Sequence, residues 1–226
     1  MALYLLNYTF DSNVFRGDGW CKQANQNGLA IVGFVSALSG QRFHSPRPMN
    51  KWFVSELQEA LSTPTPDVQM VLNYLETRGD LDLKRVGMFG ESSGASVVIL
   101  AAATDPRIVA LDVIGPWEDW ADWLKDSREI PDEERSAYLK PQFLQRVVNL
   151  DPVAYLPQLQ GRVIRIHQVM DDPITTPVAR DKIAGVAPKL SNVARYWNTI
   201  AQQKAWGADG LSGWLGEQLH SQKPKY

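Results

Sequence analysis

Apolar runs rich in β-branched residues recur along the chain, and most are followed by a stretch with helical periodicity. ALYLLNY at 2–8 and LAIVGFVSA at 29–37 are predicted strands, apolar on both faces as strands inside a covered sheet are. Between them WCKQANQNG predicts a short helix stopped by Gly28, and NKWFVSELQEAL predicts another before a proline-rich break at STPTP. In DVQMVLNYLETRG, Val68, Val71, Leu72 and Leu75 fall on one helical face, with Asp67 a candidate cap and Gly79 the stop. RVGMFG, IVALDVIG, RVIRIHQ and VARYWN are further predicted strands. GASVVILAAATD, PVARDKIAGVA and GLSGWLGEQLHS are the helices that alternate with them. The alternation predicts one α/β domain over 1–226, a three-layer, mainly parallel sheet with helices on both faces.

Residues 116–160 break the rhythm, with helical pieces, no convincing strand and tryptophans at 117, 120 and 123. Placed after a strand's C-terminal end, such a segment forms a small helical cap over the crevice where open α/β sheets bind ligands. The alternative is a helical connection packed on the sheet's flank.

Composition narrows the classes. The chain has 226 residues, 44% of them hydrophobic and 21% charged, with a formal net charge of -2. Scattered Lys and Arg on a slightly acidic chain argue against a nucleic-acid partner. The single cysteine, Cys21, excludes an internal disulfide. No apolar run reaches the length of a membrane span, and the opening residues carry neither a basic leader nor a processing site, so no membrane partner is expected. Because the chain opens almost directly on a strand pattern, sequence upstream is expected.

The chemistry concentrates in GESSG, Gly90 to Gly94, an instance of G-x-S-x-G between a predicted strand and a predicted helix. Such a turn holds its central serine, here Ser92, in a strained conformation with the hydroxyl projecting from the sheet, while small residues two before and two after let strand and helix approach. The Ser93 N–H, at the positive end of the following helix, suits a developing oxyanion. A serine nucleophile needs a base, and the base an orienting acid. The strand at 162–168 delivers Asp171 and Asp172 into a loop; Asp171 is the preferred acid, Asp172 the alternative, and a turn or capping role for the pair before Pro173 is the competing reading.

The base is the gap. It should come from the stretch after the last strand, which reads NTIAQQKAWG; Gln202 or Gln203 stands at the expected position, and glutamine cannot take a catalytic proton. The chain's histidines are His44, His167 and His220. His220 and His44 are alternative bases, although an exposed helix end accounts equally well for His220. His167 reads as a strand residue under the acid loop, there for packing or hydrogen bonding.

With these residues in view, the sequence resembles the α/β-hydrolase superfamily, in particular its peptidase-like and dienelactone-hydrolase-like members. LETRGDLDLKRVGMFGESSGASVVILAAATDPRIVALDVIGP and LDPVAYLPQLQGRVIRIHQVMDDPITTP carry the likeness, which runs over nearly the whole chain. It implies Ser92 as nucleophile, Asp171 as acid, Ser93 N–H as one oxyanion donor and a second donor near Tyr8 and Thr9. NYTF departs from the family's usual start there, and His167-Gln168 stands where members carry His-Gly. By this likeness the chain opens at the family's third strand, and a sheet edge open to a partner copy is expected.

The reading is therefore a serine hydrolase of a carboxylic ester or a short peptide amide, with no cofactor and no metal, inactive or impaired if no histidine serves the site. Phe34, Phe43, Trp117, Trp120 and Trp123 suit an apolar pocket, and core packing explains the tryptophans equally. The alternative function is a noncatalytic ligand-binding or scaffold protein on the same fold.

Overall fold

The structure, a computed structural model, describes residues 2–4, 18–33, 62–128 and 130–221. The strands are β1 (Ala2–Tyr4), β2 (Ile31–Gly33), β3 (Val86–Glu91), β4 (Ile108–Ile114), β5 (Val163–Val169) and β6 (Asn192–Tyr196). They form one sheet in the order β2-β1-β3-β4-β5-β6, and every neighbouring pair is parallel. Parallel pairing puts all six C-terminal ends on one edge, so whatever follows each strand meets there.

Helices cover both faces. The described helices are α1 (Asp18–Gln26), α2 (Pro64–Glu76), α3 (Ser93–Thr104), α4 (Trp120–Asp126), α5 (Asp132–Tyr138), α6 (Pro141–Val147), α7 (Pro152–Tyr155), α8 (Pro177–Val186) and α9 (Thr199–Ser221). Side-chain alternation along the strands feeds two cores. Met88, Leu111 and Val113 point to the side of α2 and α3, where Val68, Leu72, Ile99 and Ile183 are buried. Phe89, Ala110 and Ile114 point to the side of α1 and α9, against Ala24, Leu215 and Leu219. A Cβ at Gly87 would come within 3.1 Å of Leu215 and 3.2 Å of Leu219, so this glycine lets α9 lie close on β3.

Two element boundaries differ from the sequence reading, both through capping chemistry. The break at STPTP is the start of α2: Pro64 occupies the helix's first position, where a missing N–H costs nothing, and Asp67 sits in the first turn instead of capping it. The stretch NTIAQQKAWG, read as a loop, is helical from Thr199. Asn198 caps it, its Oδ1 accepting the Ala201 N–H at 2.8 Å. The helix then runs on to Ser221.

Between β4 and β5 the chain is helical, as expected of 116–160: α4, α5, α6 and α7 with short 3₁₀ turns at Val148–Leu150 and Leu156–Gln158. Its last pieces lie against α3 and α8 on the sheet's flank. The predicted helix at 50–61 lies outside the described residues.

Candidate active site

β3 ends at Glu91 and α3 begins at Ser93, so a single residue makes the corner between strand and helix. That residue, Ser92, has φ 56° and ψ −125°, a conformation ordinarily left to glycine. The surroundings hold it there. Its N–H donates to Ile114 O on the next strand at 2.8 Å, and its carbonyl accepts the Ala95 N–H at 3.0 Å to open the helix. Gly90 is what lets the corner close: a Cβ there would lie 2.5 Å from Gly94 O and 2.8 Å from Ala95 N. Ser93, 3% exposed, is the first residue of α3, where helical N–H groups point out along the axis.

The same ladder continues across the edge. Gly115 N–H donates to His167 O at 2.9 Å, and Met170 N–H to Tyr196 O at 2.8 Å, so the ends of β3, β4, β5 and β6 stand side by side. Asp171 and Asp172 follow β5 on that edge. Asp171 is exposed. Asp172 shapes the turn, one carboxylate oxygen accepting the Ile174 N–H at 2.9 Å and the other the Thr175 N–H at 3.3 Å. Its Oδ2 also faces the end of β4, 3.7 Å from where a Gly115 Cβ would be. A turn role thus holds for Asp172, and Asp171 is the one exposed to solvent.

Several sequence candidates stand elsewhere. Gln202 is buried and Gln203 exposed, both in the first turns of α9 instead of on a loop. His220 lies at the opposite edge of the sheet: its Nε2 is 2.7 Å from Asn27 O, in a cavity shared with Asp80, Asp82 and Arg85, which precede β3. That position removes it as a base for Ser92. Trp117, Trp120 and Trp123 do not line an open pocket; they are 1%, 2% and 0% exposed. Trp123 stacks on Trp117 with centroids 4.7 Å apart and meets Trp120 edge-on at 5.8 Å, because three large apolar surfaces at helical spacing stabilise the insertion best by covering one another. Tyr8, Thr9, Phe34, Phe43 and His44 lie outside the described residues.

His167 is committed to the sheet, with Asp112 and Arg165. Arg165 donates to both Asp112 oxygens, at 2.8 and 2.7 Å, and His167 Nε2 donates to Oδ1 at 2.9 Å. Burial pushes the Asp112 carboxyl up, yet the hydrogen bonds and charges of Arg165 and His167 outweigh it and hold the group below the usual carboxylate range. The Tyr196 ring stacks on His167 at 5.5 Å, and the Arg165 guanidinium lies 4.6 Å from the Trp214 ring.

Three residues behind the acid turn were not singled out in the sequence. Ser96 Oγ donates to Trp117 O at 2.7 Å and accepts the Trp117 N–H at 2.9 Å, which ties α3 to the start of the insertion. Arg180 on α8 reaches the carbonyls of the acid turn, and Glu118 is a fully buried carboxyl whose oxygens have no hydrogen-bond partner among the described residues. A charged residue in an apolar-aromatic string, as in PWEDW, is the one signal that could have pointed to Glu118. Among the described residues no group of three or more His, Cys, Asp or Glu could hold a metal, and no helix is long and apolar enough to cross a membrane.

No family model matches the chain, and no curated protein matches it by sequence. Solved structures do. Acetyl xylan esterase 1 from a Thermoanaerobacterium species aligns with a TM-score of 0.68 at 15% identity, over 87% of this chain and 68% of that one. A 2,6-dihydroxy-pseudo-oxynicotine hydrolase aligns with a TM-score of 0.68 at 15% identity, over 99% and 62%. A puromycin-hydrolyzing peptidase of Mycobacterium tuberculosis aligns with a TM-score of 0.66 at 13% identity, over 86% of this chain and 29% of that one. Likeness at such identities speaks to architecture, and with the strand order and the helices on both faces it shows that this chain has the α/β-hydrolase fold.

Proposed function

We propose that the protein is a serine hydrolase of carboxylic esters or amides, with Ser92 as nucleophile. One observation carries the reading: Ser92 alone turns β3 into α3, at φ 56° and ψ −125°, on the edge that also carries the aspartates. Strain of about 1–3 kcal/mol at a non-glycine corner persists where function uses it. The neighbours named as esterases, hydrolases and a peptidase support the class of reaction.

In this reading Ser92 Oγ attacks the substrate's carbonyl carbon and its proton passes to the base. The oxyanion forms toward the Ser93 N–H and a second donor at Thr9. The tetrahedral centre collapses with loss of the alcohol or amine, which takes the proton from the base. Water then releases the acid from the acyl-enzyme. Asp171 is the acid, with Asp172 as its alternative. Of the three histidines, His167 is bound to Asp112 and His220 lies at the far edge, so His44, which follows β2 in the chain, is the one left to serve as base. Without a base, oxyanion stabilisation and binding alone leave about 10³- to 10⁴-fold over water.

A fluorophosphonate probe tests the reading. Labelling is expected in the unmodified protein, absent in Ser92→Ala and weakened in His44→Ala and Asp171→Asn. If His44→Ala labels normally, Gln202→His and Gln203→His, assayed on short-chain aryl esters, show whether the base position lies on α9. A folded protein that never labels and never gains activity in these variants is a ligand-binding or scaffold member of the fold, the reading favoured by the glutamines themselves.

A further inference from the structure

The acid turn, residues 170–175, directs its N–H groups to Tyr196 O, Val169 O and the Asp172 carboxylate. Three of its carbonyls face one guanidinium. Arg180, 5% exposed on α8, donates from Nη1 to Thr175 O at 2.6 Å and to Asp172 O at 3.5 Å, and from Nη2 to Met170 O at 3.1 Å. The rest of α8 is braced: Gln168 Nε2 donates to Arg180 O at 2.6 Å, and Arg195 donates to Gln168 Oε1 at 3.2 Å. Arg180 Nε, also buried, has no hydrogen-bond partner among the described residues.

A buried cation would ordinarily take the nearest carboxylate. Glu118 is within its field, is 0% exposed, and forms no hydrogen bond among the described residues through either oxygen. The groups facing it come from each element around it: Asp119 at the start of α4, Asp151 before α7, Asp172 in the acid turn and Arg180 on α8. Asp119 is paired with Lys182 at 2.9 Å, and Asp151 accepts the N–H groups of Asp119, Trp120 and Val153. Glu118 is thus walled in by the insertion, the acid turn and α8, and three carboxylates stand against its ionisation.

We propose that Arg180 is a positioning residue for the acid turn, and that Glu118, buried and without a hydrogen-bond partner among the described residues, competes for the guanidinium only when ionised. The proposal rests on the reading in which this turn carries the catalytic acid. An uncharged carboxyl competes weakly for Arg180, so both terminal nitrogens stay on the turn. An ionised one attracts the guanidinium and competes with the carbonyls for it. Burial first, then the charges of Asp151 and Asp172, push the Glu118 carboxyl well above its ordinary range, against the pull of Arg180. A raised folded-state pKa places the hold below that pKa and removes it as pH rises through it.

Amide hydrogen exchange over 170–176, corrected for intrinsic rates, tests this without needing turnover. Arg180→Lys keeps the charge and loses the fork; exchange at Ile174 and Thr175 is expected to quicken about tenfold or more, with β3 and β4 unchanged. Glu118→Gln, an uncharged isostere, is expected to match the unmodified turn at the acid end of the pH range and to abolish its loss of protection as pH rises. Unchanged protection in Arg180→Lys overturns the proposal, and so do identical pH profiles with and without Glu118; the second comparison stands even if Arg180→Lys fails to fold. Fluorophosphonate labelling run alongside separates the two ideas: absent labelling with the expected exchange pattern removes the Ser92 reading and leaves the device at the turn intact.

Discussion

The corner at Ser92 shows what one missing atom can permit. Gly90 has no side chain where any other residue would strike the backbone of Gly94 and Ala95, two and more residues beyond the turn. Backbone cannot swing aside as a flexible side chain can, so Gly90→Ala forces β3 and α3 apart. A loss of at least about 2 kcal/mol is expected, read as a lowered urea midpoint at unchanged slope. This much was legible in the sequence, because G-x-S-x-G names both the strained residue and the small ones around it. The partners of the serine were less legible. Two adjacent aspartates look alike as letters, and only the turn separates the one whose oxygens take the N–H groups of Ile174 and Thr175 from the one exposed to solvent.

At the level of elements, β4 and β5 are joined by more than their backbone ladder. Asp112, Arg165 and His167 form a buried charged cluster between neighbouring strands, where removal of one member leaves the others uncompensated. Asp112→Asn is expected to cost about 3–5 kcal/mol at neutral pH. The sign with pH follows from the depressed carboxyl: its contribution is full above the unfolded carboxylate pKa of about 3.9 and fades as pH falls through the lower folded value. Stability curves of the two proteins should therefore converge on acidification, and parallel curves would remove Asp112 from that role. Hydrophobic pattern foretold β4 and β5 but not the cluster, since the partners are 53 and 55 residues apart and nothing local couples them. The same limit applies to α9. Asn198 and Thr199 are a helix start, yet Gly207 lowers local helix propensity, and tertiary packing keeps the helix whole across it.

For the molecule as a whole, the strand–helix alternation was enough to give a parallel sheet with two covered faces, because a buried strand needs apolar residues on both sides and its crossover needs a helix. The order of strands depends on contacts between distant segments, which periodicity does not carry. One of the two faces depends heavily on a single element: α9 lies across β1, β3, β4, β5 and β6, with Leu215 and Leu219 buried on the strands. Ending the chain before Trp206 is expected to expose that face, seen as dye binding to apolar surface and loss of the near-ultraviolet signal of packed aromatics. A native-like signal in the shortened protein would show that α1 covers the sheet unaided.

Only Trp197 and Asn198 separate β6 from α9. Where such a joint is long, a proton acceptor hung from it can be tuned by changing the slack. Here the joint has almost none, and anything grafted at 202 or 203 inherits the heading of a rigid rod of 23 residues. Inserting a few residues after Trp197 is thus the more direct way to let a new imidazole swing toward the crevice.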